Sequence, residues 1–348
     1  MCRFKSGIIL KTRCVIAEGA DDSHSNLLKE LNIEDTTANA MTKFVRVELL
    51  PPEDEWWTDP DTWMINVDQD ILPDWYKDGS EKYNAEFRQA VKDWWKEHVL
   101  IDRKIDELSS GYYRLKRCKV KKLFNDVRVM CDRTTVQEMC DSSIVQRMHD
   151  NSTVPGMSDN STVQEMYDNS TVPGMFDNSM VQEMHDNSIV QRMHGRTTVK
   201  EMHDSSTIQE MYSSSMVKEM HDSSIVESIY SSSMVKEMYD RSMVLIMKEM
   251  STVQRMYDNS TVRVMSDNST VQEMHNRSAV RRMYDNSTVK EMYNISAVNE
   301  MYVWSTVRKM HDISTAISYQ IPNKVQVLVS PEWEFEVVIH RNPEEDAE

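Results

Sequence analysis

Asn160-Ser161-Thr162-Val163-Gln164-Glu165-Met166-Tyr167-Asp168 is the stretch that decides how this chain folds. The same nine-residue pattern runs from Val127 to Val307 in 21 copies, without insertion or deletion. A Val stands at every ninth residue (Ile208 once), and a Met follows three residues later in every copy except the one holding Ile229. Ser or Thr precedes the Val by two in nearly all copies. Val and Met three apart suit a helix, but the next Val lies six residues further on. Each copy also carries a cluster of Asp, Asn, Ser and Thr, which favours turns and extended chain over helix interiors. Short strands joined by turns and stacked as a β-solenoid satisfy the pattern.

Ser161 and Val163 share a strand parity and point inward together, whereas Met166 has the opposite parity. If both Val and Met are inside, the chain bends between them. Pro155-Gly156 and Pro173-Gly174 occupy that bend in two copies, and the Asp-Asn pair after the aromatic position forms the turn. One nonapeptide is too short to close a coil, so the expected unit is two, or 18 residues. Alternate copies do differ. After Met, one set reads His149, Tyr167, His185, His203, His221, Tyr239, Tyr257, His275, Tyr293 and His311. The other is mixed: Cys140, Ser158, Phe176, His194, Tyr212, Tyr230, Lys248, Ser266, Tyr284 and Tyr302. The first set also holds Glu165, Glu183, Glu201, Glu219 and Glu237, then Glu273 and Glu291. The expectation is about ten coils, roughly 48 Å at strand spacing. Their Val/Met interior carries one regular face and one variable face. The binding-face candidates are Glu165, Tyr167, Glu183, His185, Glu201, His203, Glu219, His221, Glu237 and Tyr239. The strict period of the 28 Met assigns them to the core rather than to thioether metal binding.

Outside the array, residues 1–125 read as an α+β domain, with strands over Phe4–Ile16, Lys43–Leu49, Trp63–Val67 and Tyr112–Val120, the last leading into the repeat. Helices are expected at His24–Leu31, with Ser23 or Ser25 as N-cap, and at Glu81–Val99. Six of the eight Trp fall in this domain and are read as core. Residues 126–319 are the solenoid. Residues 320–341 are expected to form a β-hairpin cap, with Lys324–Val329 and Glu334–Ile339 as its strands, followed by an acidic tail over 342–348.

The formal net charge is −17, which disfavours direct binding to nucleic-acid phosphates. Five cysteines without a CxxC indicate neither a disulfide framework nor a zinc site. No phosphate loop, dinucleotide fingerprint or metalloprotease helix is present, and no metal or cofactor is expected. Gly7-Ile8-Ile9-Leu10 is followed at once by Lys11 and Arg13, so no secretory leader or membrane-spanning run is read.

The period of nine and the two-repeat coil resemble the RTX β-roll, and the small inward residue two before an aliphatic resembles pentapeptide-repeat proteins. The RTX pattern uses Gly-Gly and a calcium-binding Asp in each copy, whereas this array has only Gly156, Gly174 and Gly195. Pentapeptide proteins count in fives. Met1-Cys2-Arg3-Phe4-Lys5-Ser6-Gly7-Ile8, Phe44-Val45-Arg46-Val47-Glu48 and Val67-Asp68-Gln69-Asp70-Ile71-Leu72-Pro73-Asp74-Trp75 look like proteins of gut bacteria and their phages. Those proteins join such a domain to a Ser-x-Val-x-x-Met array. That likeness implies a bacterial or phage source and no particular activity, while the cysteine usage and the N-terminal sequence are read as a reduced cytosol.

The expected function is non-enzymatic: an acidic, repetitive face presented to a protein partner. One alternative is an enzyme with Cys2 as an N-terminal nucleophile. It would resemble the class II amidotransferases and the SOS-response-associated peptidases, which start Met-Cys-Gly where this chain has Arg3. His24 is the candidate base. The other alternative is a nucleic-acid mimic that inhibits a DNA-binding enzyme, a reading weakened by Lys200, Lys218 and Lys236.

Overall fold

The computed structural model of the protein describes residues 4–19, 22–302, 304–318 and 337–339. The chain forms two compact units. The first is Met1–Arg103 with Gly111–Cys118, and the second is Lys104–Ser110 with Lys119–Glu348.

The first unit is built on a four-stranded antiparallel sheet. A hairpin of β1 (Lys5–Leu10) and β2 (Arg13–Ile16) precedes the helices α1 (His24–Glu30) and α2 (Thr37–Ala40). Strands β3 (Phe44–Leu50) and β4 (Met64–Val67) complete the sheet in the order β2-β1-β3-β4. The Ser23 hydroxyl caps α1 by accepting from the Asn26 amide, the role its position before an apolar helix predicts. After a short α3 (Asp74–Lys77), the 19-residue α4 (Ser80–His98) lays Phe87, Val91 and Trp94 on β1 and β2. The approach is close. A Cβ on Gly7 of β1 would lie 2.4 Å from the Phe87 ring, so only glycine lets this helix seat.

Of the six tryptophans expected in the core of this unit, three are buried and Trp57, Trp75 and Trp95 are half-buried. Trp56, Trp63 and Trp94 are buried and meet edge to face, at 5.3 and 6.4 Å. The indole N–H groups of Trp63, Trp75, Trp94 and Trp95 all donate to backbone carbonyls. The strand expected over Tyr112–Val120 is found as Tyr112–Lys116, and it pairs in parallel with Val99–Ile101, a strand not read from the sequence.

The second unit is a β-solenoid. Successive nonapeptides alternate between two parallel sheets, so the coil is 18 residues, as the alternation of copies predicts. One sheet has 14 strands, from Lys104–Leu108 to Val337–Ile339, and the other runs from Arg128–Asp132 to Thr306–Met310. The coils number about 12, against the ten expected. The stack takes in Lys104–Leu108 and Lys119–Leu123, which precede the array. There Ile105 pairs with Val120 and Leu108 with Leu123, and these in turn pair with Val136 and Met139. The aliphatic pair three apart is therefore already present, but on shorter coils that hide the period. The first nonapeptide is also out of phase. Val145 pairs with Val129 rather than Val127, and Met148 with Cys131 rather than Met130, across a register shift.

From Thr162 onward the strands have the burial pattern that the sequence predicts, the second and fifth residues inside and the third and fourth facing out, except that Gly174 is buried at a fourth position. The parity switch leaves its mark on the ladder. Thr162↔Met180 and Val163↔Val181 pair, the third residue is passed over, and Glu165↔Glu183 and Met166↔Met184 resume. Pro173 occupies such a third position within the strand Thr171–Met175, and towards the preceding coil the ladder thins to Thr153↔Thr171 and Met157↔Met175, without the Val–Val pairing of the regular coils. It marks a bend rather than a turn. The turns lie at the Asp-Asn pair, where residues such as Asp168 (φ 58°) and Asp186 (φ 56°) take the left-handed conformation that Asp and Asn tolerate best. Gly195 fills the same place in one copy.

The Val and Met columns are buried throughout, and a continuous Ser/Thr column from Ser143 to Ser296 lies inside with them. Some of these hydroxyls turn back to the carbonyl three residues earlier, as Ser224 does to His221 (2.8 Å), and Ser215 donates to Ser233 in the next coil (3.2 Å).

The expected C-terminal hairpin lies outside the described residues except for Val337–Ile339. That segment pairs with Thr315–Ser318 in parallel and extends the ladder of the last coil.

Candidate binding face

All ten candidate face residues lie together on the sheet that runs from Arg128–Asp132 to Thr306–Met310, in two adjacent columns. The ring column is unbroken. His149, Tyr167, His185, His203, His221, Tyr239, Tyr257, His275, Tyr293 and His311 stack face to face, with centroids 4.5–5.1 Å apart. The reason is geometric. Parallel in-register strands bring identical positions to within one strand spacing, so rings two nonapeptides apart have no other place to go. On the other sheet the corresponding column is interrupted. Phe176, His194, Tyr212 and Tyr230 stack, and Tyr284 stacks on Tyr302, with Lys248 and Ser266 between the two runs.

Seven of the ten rings lean on a Glu two residues before them, the exceptions being His149, Tyr257 and His311, which follow Arg147, Arg255 and Lys309. The Tyr167 hydroxyl donates to Glu165 (3.0 Å), and His185, His203, His221 and His275 hold Nε2 3.3–3.4 Å from Glu183, Glu201, Glu219 and Glu273. Tyr239 and Tyr293 donate to Glu237 and Glu291. These phenols are harder to ionise than a free tyrosine. Tyr167 is pushed up to about 12 by burial, with the Glu165 contact second. Tyr293 is pushed up to about 12 by its hydrogen bond to Glu291, with burial second. The partner carboxyls move the other way. Tyr239 and then Arg255 hold Glu237 below the usual range, and Tyr293 and then Lys309 do so for Glu291.

Three of the imidazoles face an aspartate that the sequence reading missed. Nδ1 of His149, His185 and His203 lies 3.7–3.9 Å from Asp168, Asp204 and Asp222 in the following coil. These aspartates are the turn residues. Each accepts a backbone N–H from the preceding coil, as Asp168 does from Asp150 and Asp204 from Asp186 (both 3.1 Å). A local reading finds the turn but not this contact, which spans 18 residues.

Charge along the Glu column is uneven. Arg147 pairs with Glu165 (2.5 Å) at one end of the run and Arg255 with Glu237 at the other. Between them Glu183, Glu201 and Glu219 stand directly in register, with side chains 44–46% exposed and no Lys or Arg paired to them among the described residues. Lys200, Lys218 and Lys236 sit one position earlier in their strands, facing outward in the neighbouring column.

The other sheet has a cavity of about 490 Å³, lined among others by Lys122, Cys140, Gly156 and Phe176, where Gly156 leaves no side chain. Cys140 is pushed above the usual thiol range by burial, so it is not an activated nucleophile.

Cys2 lies outside the described residues. His24 is the first residue of α1, in the other unit. Its ring, 10% exposed, lies beside Asp68 and is grouped with Glu48. Among the described residues, this is the set whose metal-type ligand atoms converge.

Fold and face together define a two-sheet β-solenoid with nonapeptide half-coils. No family model, curated protein or solved structure matches the chain. Among the described residues, no helix is long and apolar enough to cross a membrane.

Proposed function

We propose that the protein is a non-enzymatic binding protein whose solenoid presents its regular Glu and His/Tyr face to a protein partner carrying an extended row of cationic groups. The observation that carries this reading is the run Glu183, Glu201 and Glu219. These are three half-exposed carboxylates in register, with ring centroids beside them 5.0 and 5.1 Å apart. Like charges directly opposite on paired strands are destabilising, so the run works against the fold and is best accounted for by something it binds. Stacked rings alongside supply flat surface for the aliphatic stems of Lys or the guanidinium of Arg. The rigid backbone already holds the row in place, so ordering it on binding costs little.

The test is affinity capture from bacterial lysate with the full chain, beside an E183Q/E201Q/E219Q variant of matched fold. The reading expects a basic protein that is retained by the parent, lost from the variant and released by about 0.5 M salt, where surface attraction is heavily screened. Equal capture by both proteins would refute it.

A further inference from the structure

We propose that His24, Glu48 and Asp68 form a divalent transition-metal site in the N-terminal unit, independent of the solenoid face. The three residues come from α1, from β3 and from the residue after β4. β3 and β4 pair with Glu48 opposite Asn66. The Asp68 amide donates to the Arg46 carbonyl (3.0 Å), and the next residue, Gln69, is tied down by its side chain to Ala40, Phe44 and Ile71. The Asp68 backbone is therefore fixed, while its carboxylate, 56% exposed, is free to rotate.

His24 is preset as a ligand. Its Nε2 lies 3.1 Å from the Val47 carbonyl oxygen. A carbonyl only accepts, so the Nε2 proton is committed there, and Nδ1, which faces Asp68 Oδ2 at 3.4 Å, is the nitrogen left to offer a metal. An imidazole donating one N–H to a backbone carbonyl and offering its other nitrogen is the usual arrangement of a metal-bound histidine.

Glu48 supplies the independent observation. It is only 8% exposed, and its one hydrogen bond is to Asn66 Nδ2 (2.9 Å). Among the described residues, no Lys or Arg pairs with it. A buried carboxylate without a cation is costly, and it shares this spot with a second carboxylate. An imidazolium would answer Asp68 but leave Glu48 unpaired, whereas a dication answers both.

The ligand atoms all lie within 4.8 Å of one another. Ligands held ~2.0–2.2 Å from one ion stand up to ~4.4 Å apart, so a small rotation of the exposed Asp68 side chain closes the site. One imidazole nitrogen with two carboxylate oxygens suits Zn²⁺ or Mn²⁺ better than Mg²⁺. Three protein ligands leave positions open to solvent.

The experiment is calorimetric titration of the full chain with ZnCl₂, MnCl₂ and MgCl₂, alongside H24A, E48Q, D68N and, as a control on the solenoid, H203A. The expected result is one Zn²⁺ or Mn²⁺ per chain, bound at least tenfold more tightly than Mg²⁺. Affinity drops tenfold or more in H24A, E48Q and D68N and is unchanged in H203A. Asp68 is exposed, so D68N keeps the inference testable even if E48Q fails to fold. Absence of binding by the parent chain, affinity within threefold of the parent in both H24A and D68N, or loss in H203A would each overturn it. A failed capture experiment on the solenoid face leaves this result untouched, because the two sites share no residue.

Discussion

Replacing Glu201 with Gln should make the solenoid more stable, and the size of the gain follows from the coil repeat. Glu201 stands between Glu183 and Glu219, and the rings beside them repeat every 5.0 and 5.1 Å. Two unit charges 5 Å apart repel by about 0.8 kcal/mol in water. The aqueous value applies because the carboxylates are 44–46% exposed. Two neighbours give about 1.6 kcal/mol at low salt, and a Debye length of ~8 Å at 0.15 M roughly halves that. The variant should therefore gain about 1 kcal/mol at 0.15 M, about 2–4 °C in melting temperature for a unit of this size. The gain should grow at 10 mM salt and shrink towards zero at 1 M. Gln keeps an acceptor for His203 Nε2, which lies 3.4 Å from the carboxylate in the parent. At pH 8.5 ordinary imidazole is neutral, which removes any competing ion pair. The assay is the thermal transition of the β-type circular dichroism signal at three salt concentrations. A loss of stability at every salt would refute the reasoning, because it would make the column self-supporting and remove the case for a bound cation row.

Three further outcomes are expected. Gly7→Ala puts a methyl 2.4 Å from the Phe87 ring and should destabilise the N-terminal unit by about 1–3 kcal/mol; urea unfolding followed by tryptophan fluorescence reads it, and a second substitution, Phe87→Leu, should restore part of the loss. Met202→Ala empties a fully buried position between Met184 and Met220 and should cost about 2–5 kcal/mol, read as hydrogen-exchange protection lost first in the adjoining coils. Tyr167, Tyr293 and Tyr302 are each pushed up to about 12, above the value near 10 of an unfolded chain. The folded state thus favours the neutral phenol. Its contribution is complete below pH 10 and is lost as pH rises towards 12. Absorbance at 295 nm should show these tyrosines ionising together with loss of the β signal, and Tyr167→Phe should shift that loss upward.

The solenoid could be read from the sequence because its contacts obey one number. A residue and its neighbour in the next coil are 18 apart, so each column is a single position of the pattern, and the unlike alternate copies announce two sheets. That legibility ends where the number changes. Ile105, Leu108, Val120 and Leu123 already hold the inward pair, yet 15 residues separate Ile105 from Val120 and 16 separate Val120 from Val136, so no period reveals them. Val127 and Met130 fit the period and still fall out of phase, because Val129 and Cys131 take the places opposite Val145 and Met148 while Met130 pairs with Arg147. The Asp168 turn was visible, but its carboxylate contacts belong to other coils. His24, Glu48 and Asp68 come from three elements brought together by strand pairing and a helix cap, and no spacing in the chain connects them.

The alternation of nonapeptides between two sheets sets a rule for how such a gene can change length. Near-identical copies invite slipped pairing during replication, which adds or removes whole multiples of nine codons. A slip of two copies removes one coil, and every column closes over the gap in register. A slip of one copy preserves the Val/Met interior equally well, since both sheets use the same inward residues. Everything downstream, however, changes sides, so the Glu and His/Tyr columns continue onto the variable face. The core cannot distinguish the two events, because it is blind to parity; only the outer columns and whatever reads them can. In this array the regular ring column runs unbroken from His149 to His311, so every copy along it keeps its side.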